Sequence, residues 1–201
     1  QQNFWKNTYA KEYRSKNAEF DHDLAVKAWS LMTEKCNGVG SILECGSNIG
    51  RNIGFLDNVM PAAKKSVIEL SSEAYDIVTS NYSLESSFNG PIVECDFADN
   101  SFDLTFTMGV MIHIHPDDLL ANMKKVYDLS GKYILIGESF NRTPVMIEYR
   151  GEKNKLFKSD FGKTFIENFD VELVDYGFLW GHVYDPAGFD DVTWWVFKKI
   201  S

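Results

Sequence analysis

The fold of this chain is decided by the stretch Ser41-Ile42-Leu43-Glu44-Cys45-Gly46-Ser47-Asn48-Ile49-Gly50-Arg51-Asn52-Ile53-Gly54. An apolar run ends at Gly46, and a second glycine, Gly50, follows after three residues and precedes a segment of helical character. The stretch therefore predicts a strand, a tight turn and a helix. In a parallel α/β sheet such a turn leaves backbone amides and a helix N-terminus open at the carboxyl end of the strand, where ligands bind.

The composition predicts one globular domain over residues 1–201. The chain is 44% hydrophobic and 24% charged, and its net charge of −9 argues against a nucleic-acid partner. It has no apolar run of about 18 residues, and its first residues do not resemble a signal sequence. We therefore expect a cytoplasmic protein without membrane contact. Three cysteines without paired spacing predict neither a disulfide nor a zinc site.

Strands are predicted to alternate with helices along the chain. The predicted strands are 41–45, 66–70, 92–94, 102–108, 133–136, 171–178 and 192–199. The alternation favours a parallel sheet with helices on both faces. The connection 179–191 predicts that the last two strands form a hairpin with a long tip. We expect an α/β, Rossmann-like, seven-stranded and mostly parallel sheet with an antiparallel last strand.

Three segments fall outside this pattern. Residues 1–36 predict two N-terminal helices, which would pack on the domain or form a lid over the ligand. Four aromatic side chains share one face of the first helix: Phe4, Trp5, Tyr9 and Tyr13. Residues 141–160 and 179–191 are predicted to be insertions on the substrate side of the sheet.

The first turn does not suit a dinucleotide. A pyrophosphate approaches the backbone through glycines at G-x-G-x-x-G spacing, whereas Ser47 and Asn48 place side chains there. Glu44, before the turn, suits a cationic amine. Glu69 ends the second predicted strand, where a carboxylate can accept both hydroxyls of a ribose.

Asp96 and Phe97 follow the third predicted strand, where they can meet the edge and the face of an adenine. A ligand with an adenine, a ribose and a charged amino-acid end, but no phosphate, is S-adenosylmethionine. The residues therefore predict a methyltransferase. A dinucleotide-dependent dehydrogenase or epimerase is the alternative enzyme class.

Several further motifs narrow the prediction. They are Ile42-Leu43-Glu44-x-Gly46-x-Asn48-Ile49-Gly50-x-Asn52, Gly109-Val110-x-Ile112-His113-Ile114, Glu148-Tyr149-Arg150-Gly151, Leu156-Phe157-Lys158-x-Asp160-Phe161 and Asp175-Tyr176-Gly177-Phe178. With them the chain resembles class I S-adenosylmethionine-dependent methyltransferases, and more narrowly the family of pseudaminic acid biosynthesis-associated methylases. The resemblance covers most of the chain.

The resemblance implies a role for individual residues. The amino-acid end and the sulfonium of the cofactor would be bound by Glu44, Gly46, Ser47, Asn48 and Gly50. Glu69 would hold the ribose. The adenine would contact Leu70, Asp96 and Phe97. The methionine portion would lie above Met108 and Gly109.

Methyl transfer from a sulfonium mainly requires that the acceptor atom be held in line with the methyl group. His113 follows the fourth predicted strand and is the candidate general base, although it could instead bond to loop backbone. His115 is predicted to cap the helix that begins at Pro116. Two histidines without a third ligand nearby predict no metal site.

The insertions are expected to bind the acceptor. Cationic donors and an aromatic ring come to the carboxyl edge of the sheet with Tyr149, Arg150, Lys155 and Lys158. Because guanidinium suits carboxylates and phosphates, we expect a small anionic acceptor, such as an acidic or nucleotide-linked sugar, methylated on oxygen or nitrogen. Further candidates for the pocket walls are Tyr13, Trp180, His182 and Tyr184. The alternatives are a non-catalytic protein that binds S-adenosylmethionine, or methylation of an unrelated metabolite. The sequence leaves the oligomeric state open.

Overall fold

A computed structural model describes residues 20–149 and 151–200, and of residues 149 and 152–154 it describes the backbone alone. Some of the predictions concern other residues. The aromatic face of the predicted N-terminal lid, including Tyr13, lies outside the described residues. So do Arg150 and the side chain of Tyr149.

The described strands form a main sheet and a separate hairpin. They are β1 (Ser41–Cys45), β2 (Lys64–Glu69), β3 (Ser86–Asn89), β4 (Phe102–Met108), β5 (Ser130–Glu138), β6 (Val145–Tyr149), β7 (Glu152–Lys158), β8 (Val171–Leu179) and β9 (Val192–Lys199). The main sheet has the order β3-β2-β1-β4-β5-β9-β8. Its first five strands are parallel, and β9 runs antiparallel between β5 and β8. The predicted seven-stranded, mostly parallel sheet with an antiparallel last strand is confirmed.

Helices cover both faces of the main sheet. Those described are α1 (His22–Met32), α2 (Arg51–Val59), α3 (Ser72–Asn81), α4 (Pro116–Leu129), α5 (Phe161–Asn168) and α6 (Gly181–Tyr184), with 3₁₀ turns η1 (Ile92–Glu94), η2 (Met111–His113) and η3 (Asp185–Ala187). On one face Trp29 of α1 meets Phe106 of β4 edge-on, with ring centroids 4.9 Å apart. On the other, Phe165 of α5 stacks on Phe197 of β9 at 5.1 Å. Within the described residues no helix is long and apolar enough to cross a bilayer.

The third strand lies at a different place from its prediction. β3 spans Ser86–Asn89, whereas 92–94 forms the turn η1 after Pro91. Among the described strands β3 pairs with β2 alone, so this edge strand needs no continuous apolar run. The apolar Ile92 is buried in the core beside the sheet instead. The carboxyl end of the strand therefore lies at Asn89.

Both predicted insertions are structured. β6 and β7 form an antiparallel hairpin, and a bridge between Phe140 and Ser159 brings the two ends of this insertion together. β8 and β9 pair as the predicted hairpin, whose long tip contains α6 and η3. Leu179, Ala187 and Phe189 of the tip are buried in the core with α1. Residues 179–191 thus belong to the packed body of the domain.

Candidate functional site

A cavity of about 490 Å³ opens at the carboxyl ends of β1, β2 and β4, where the strand order reverses. Eight residues put forward from the sequence line it: Gly46, Ser47, Asn48, Glu69, Leu70, Met108, Gly109 and His113. The other candidates whose side chains are described lie outside its lining: Glu44, Gly50, Asp96, Phe97, Lys155, Lys158, Trp180, His182 and Tyr184. The lining also includes residues that the sequence did not single out, among them Arg51, Asn52, Pro91 and Ile92.

The turn after β1 depends on left-handed backbone. Gly46, Asn48 and Gly50 have φ values of 87°, 50° and 84°. A Cβ on Gly46 would lie 2.7 Å from Val110, and one on Gly50 would lie 2.5 Å from Val78 of α3. Gly46 therefore permits the close approach of the loop after β4. Gly50 instead lets α2 begin against α3, away from the cavity.

Glu69 joins the turn to the end of β2. Its Oε2 accepts a hydrogen bond from the Asn48 amide at 2.6 Å, and its Oε1 accepts one from the Ser71 amide at 2.7 Å. The side chain is only 8% exposed, and this burial raises the pKa of its carboxyl group. The carboxylate thus fixes two backbone segments at the cavity wall.

Glu44 is buried below the cavity wall. Its Oε1 accepts a hydrogen bond from Asn52 Nδ2 at 2.7 Å, and burial raises its pKa to about 8. Glu44 Oε2 and Asn52 Oδ1 are buried and have no hydrogen-bond partner in the described part of the chain. Asn52 lines the cavity, so any influence of Glu44 on a ligand is expected to pass through Asn52.

Asp96 and Phe97 lie away from the cavity because β3 ends earlier than predicted. Asp96 is exposed, and Phe97 packs edge-on against Phe102 with centroids 5.5 Å apart. The residues that follow the observed end of β3 line the cavity instead, from Gly90 to Val93. An adenine at this edge would meet this loop.

Hydrogen bonds to Glu138, at the end of β5, hold the turn η2, which carries His113. Glu138 Oε1 accepts the amides of Val110 and Met111 at 3.1 and 3.0 Å, and Oε2 accepts that of Ile112 at 3.2 Å. Thr107 Oγ1 donates to the same carboxylate at 3.1 Å. The side chain is fully buried, which raises its pKa to about 7. The only sequence signal for this role was an acidic residue ending an apolar strand.

His113 lines the cavity in a defined tautomer. Its Nδ1 lies 2.9 Å from the carbonyl oxygen of Lys155 in β7. Because a carbonyl only accepts, Nδ1 carries the proton and Nε2 the lone pair. Burial lowers the pKa of His113 to about 4, so the ring is neutral at pH 7. His113 therefore bonds to backbone, as the alternative prediction had it, although the carbonyl belongs to strand β7 and not to a loop.

His115 caps α4, as predicted. Its Nδ1 accepts a hydrogen bond from the Asp117 amide at 3.3 Å, and Pro116 follows at the first position of the helix. The ring of His115 also meets Phe157 of β7 edge-on at 5.5 Å. The β6–β7 hairpin therefore touches the loop after β4 at both His113 and His115.

The candidates for acceptor binding are dispersed. Lys158 ends β7 opposite Val145, at the neck of the hairpin. His182 is exposed, and its ring lies 4.8 Å from that of Trp180. Tyr184 packs against the core beside α1. In the described part of the chain no three His, Cys, Asp or Glu side chains gather as a metal site would require.

Comparison with known proteins agrees with this geometry. Residues 43–135 match the family model described as Methyltransferase domain. A search of the curated proteins found no match to the chain.

Solved structures share the whole fold at low sequence identity. A Leishmania major S-adenosylmethionine-dependent methyltransferase is 16% identical, with a TM-score of 0.76 over 98% of this chain and 81% of that one. The 1,6-didemethyltoxoflavin-N1-methyltransferase of Burkholderia thailandensis, solved with bound 1,6-didemethyltoxoflavin and S-adenosylhomocysteine, is 11% identical, with a TM-score of 0.75 over 100% and 87%. The N-methyltransferase NodS of Bradyrhizobium japonicum, in complex with S-adenosylhomocysteine, is 14% identical, with a TM-score of 0.69 over 100% and 97%. At these identities the likeness establishes the fold, which is that of Rossmann-like methyltransferases.

Proposed function

We propose that this protein is an S-adenosylmethionine-dependent methyltransferase that acts on a small-molecule acceptor. One observation carries the proposal: the Glu69 carboxylate and the turn from Gly46 to Asn48 line the same cavity, at the point where the strand order of the sheet reverses. The match of residues 43–135 to a methyltransferase domain supports it.

The cavity has groups that suit each part of S-adenosylmethionine. Glu69 can accept ribose hydroxyls, because each of its oxygens keeps a lone pair beyond its bond to a backbone amide. Leu70 and Ile92 offer apolar surface to the adenine. The buried Asn52 Oδ1, which has no partner among the described residues, can accept from the ammonium group. Gly109, at φ 67°, leaves open the space that a side chain would fill.

The residues of the chain position the acceptor and manage its proton. When bound, S-adenosylmethionine would supply an activated methyl group: the lone pair of the acceptor would bond to the methyl carbon, and the electrons of the broken C–S bond would stay with sulfur. His113 presents a neutral imidazole with its lone pair on Nε2. A pKa of about 4 makes it a weak base. We propose that His113 orients the acceptor by accepting its hydrogen bond, while the proton is finally released to water.

For the acceptor we propose a small anionic molecule, sugar-derived as the family resemblance implies, and methylated on oxygen or nitrogen. The basic segment 150–158 supports this proposal. Its backbone at Lys155 contacts His113 at the cavity, so the hairpin that carries these cations belongs to the same side of the site. The toxoflavin precursor bound in the Burkholderia thailandensis enzyme is likewise a small molecule.

Calorimetry with S-adenosylhomocysteine and with NAD tests the cofactor. We expect binding of S-adenosylhomocysteine alone; binding of NAD alone would overturn the proposal. Glu69→Gln should lower the affinity about tenfold to a hundredfold, because it weakens bonds to the ribose made by a charged group. Glu34→Gln, the same change at an exposed position after α1, is the matched control.

Turnover is tested by incubating the protein with methyl-labelled S-adenosylmethionine and a small-molecule extract. Label in a low-molecular-weight product, identified by mass spectrometry, is the expected result. A protein that binds S-adenosylhomocysteine and labels nothing would instead fit the non-catalytic binding protein.

A further inference from the structure

The cavity carries a cation to which the sequence gave no role. Arg51 begins α2 directly after the glycine turn, and its side chain lines the cavity beside Asn52. It is the one Lys or Arg among the described lining residues, in a chain whose net charge is −9. Lys155 and Lys158, the described cations predicted to bind the acceptor, are not among the lining residues.

The guanidinium of Arg51 is held on two sides. Its Cζ lies 4.3 Å from the ring centroid of Phe20, which provides a cation–π contact. On the other side it packs against Gly188 at the tip of the β8–β9 hairpin. A Cβ on Gly188 would lie 2.7 Å from Nη1, so only glycine leaves room for the group. The orientation of the guanidinium is therefore set before a ligand arrives.

Most donors of this guanidinium are not used within the described structure. A guanidinium has five N–H groups, and here Nη2 donates to the Gly188 carbonyl at 3.4 Å. Nε is buried and has no acceptor among the described residues. No carboxylate among the described side chains forms an ion pair with it. A buried donor without a partner is unfavourable, and a ligand anion would satisfy it.

We propose that Arg51 is the anion-binding residue of this cavity and takes a carboxylate or phosphate group of the ligand. The assignment rests on the proposed function. The position of Arg51 beside Asn52 and the glycine turn favours the carboxylate at the amino-acid end of S-adenosylmethionine. An anionic group of the acceptor offers the same chemistry, since guanidinium binds either in a bidentate manner.

Calorimetry on three variants tests the assignment with two nucleosides. S-adenosylhomocysteine has the amino-acid end, whereas 5′-methylthioadenosine keeps the adenine, ribose and sulfur and lacks it. Arg51→Met should lower the affinity for S-adenosylhomocysteine about tenfold to a hundredfold and leave that for methylthioadenosine within about twofold. Arg51→Lys keeps the positive charge but not the forked donors of the guanidinium. Its affinity for S-adenosylhomocysteine should lie between those of the wild type and of Arg51→Met. Lys27→Met removes an exposed cation of α1 and should change neither of the two affinities.

A second measurement tests whether the anion that Arg51 binds belongs to the acceptor. If Arg51→Met binds S-adenosylhomocysteine as the wild type does, inorganic phosphate is titrated into both proteins saturated with S-adenosylhomocysteine. Phosphate binding by the wild type alone would assign the anion to the acceptor. Unchanged binding of both ligands by a folded Arg51→Met, or by Arg51→Lys if the first variant unfolds, would overturn the assignment alone. A wild-type protein that binds no S-adenosylhomocysteine would overturn the proposed function and the assignment together.

Discussion

Buried carboxyl groups hold the walls of the cavity in place. Glu69 and Glu138 are the last residues of β2 and β5, and Glu44 is the penultimate residue of β1. Glu44 accepts a hydrogen bond from α2, Glu69 accepts bonds from the turns after β1 and β2, and Glu138 accepts bonds from the turn after β4. Burial raises the pKa of all three, to about 8 for Glu44 and about 7 for Glu138. Each carboxyl group therefore takes up a proton more readily in the folded protein than in the unfolded chain, and folding is linked to pH.

We expect Glu44→Gln to flatten the pH dependence of stability. The pKa of Glu44 is about 8 in the folded protein against an ordinary value of 4.5. Its contribution is fully present below pH 4.5 and is lost as the pH rises through 8, at up to about 1.4 kcal/mol per pH unit. Urea unfolding of both proteins at pH 5 and pH 8.5 checks this. The variant should gain stability relative to the wild type only at the higher pH, and equal pH profiles would contradict the raised pKa.

The sequence indicates that these acidic residues lie at or next to the ends of strands, but not which of them lines the cavity. Glu44 and Glu69 stood in similar contexts, and both were expected to contact the cofactor. Side-chain direction alternates along a strand, so the last residue of each strand faces up, down or into the ligand according to its register. Only the assembled sheet shows that Glu69 lines the cavity, whereas Glu44 lies below it and Glu138 supports η2.

At the scale of elements, η2 has one main support, and we expect Glu138→Gln to loosen it. Glutamine has only one side-chain oxygen. That oxygen cannot accept both the hydrogen bonds now made to Oε1 and the one that the Ile112 amide makes to Oε2. One buried N–H then loses its partner, which costs about 1–3 kcal/mol of stability. The pKa of His113 should rise from about 4 toward 6.5, which a proton NMR titration of its ring would measure.

Asp103→Asn provides the matched control for this variant. The Asp103 carboxylate accepts the amides of Gly40 and Ser41 at 2.7 and 3.1 Å, near the amino ends of β4 and β1 and far from the cavity. Its replacement should lower the stability without moving the pKa of His113. If both variants shift that pKa alike, Glu138 has no special role in placing His113.

The sequence predicted most elements because their signals are local. The run before Gly46, the His115 cap and the apolar β5 all depend on neighbouring residues. β3 gave no such signal, since its Ser-Ser-Phe-Asn sequence suits an edge strand that is not fully covered. Because of this error, Asp96 and Phe97 were expected at the cavity in place of the residues after Asn89.

At the scale of the whole molecule, the β6–β7 hairpin is a separable unit, and we expect its removal to leave the cofactor site intact. Phe140 and Ser159 are bridged, so a short Gly-Ser-Gly linker can replace residues 142–158. Affinity for S-adenosylhomocysteine should stay within about twofold. The pKa of His113 should rise toward 6.5, because the burial that lowers it is lost with the hairpin.

Calorimetry and NMR titration of the shortened protein check the two expectations independently. A folded protein without affinity for S-adenosylhomocysteine would place the hairpin in the cofactor site. An unchanged pKa of His113 would show that the burial comes from the body of the domain.

Contacts between distant parts of the chain were beyond prediction from the sequence. Arg51 meets Gly188 across 137 positions, and His113 meets Lys155 across 42. Neither pairing leaves a periodic or local pattern. Which atoms of residues 141–160 and 179–191 reach the cavity likewise depends on how β7 and η3 pack against the rest of the domain.

The position of β9 has a consequence for the newly made chain. β9 lies between β5 and β8, and among the described strands it is the one partner of β8. During translation β8 leaves the ribosome before β9, so β8 has no place in the sheet until the later strand inserts beside it. The five parallel strands can assemble earlier. Until β9 is in place, β8 remains exposed to solvent, including Tyr176 and Phe178, which are exposed in the folded protein as well. Insertion of a strand between two others depends on long-range contacts and is therefore slow. During this step the edge of β5 is unpaired and can associate with other chains or with chaperones.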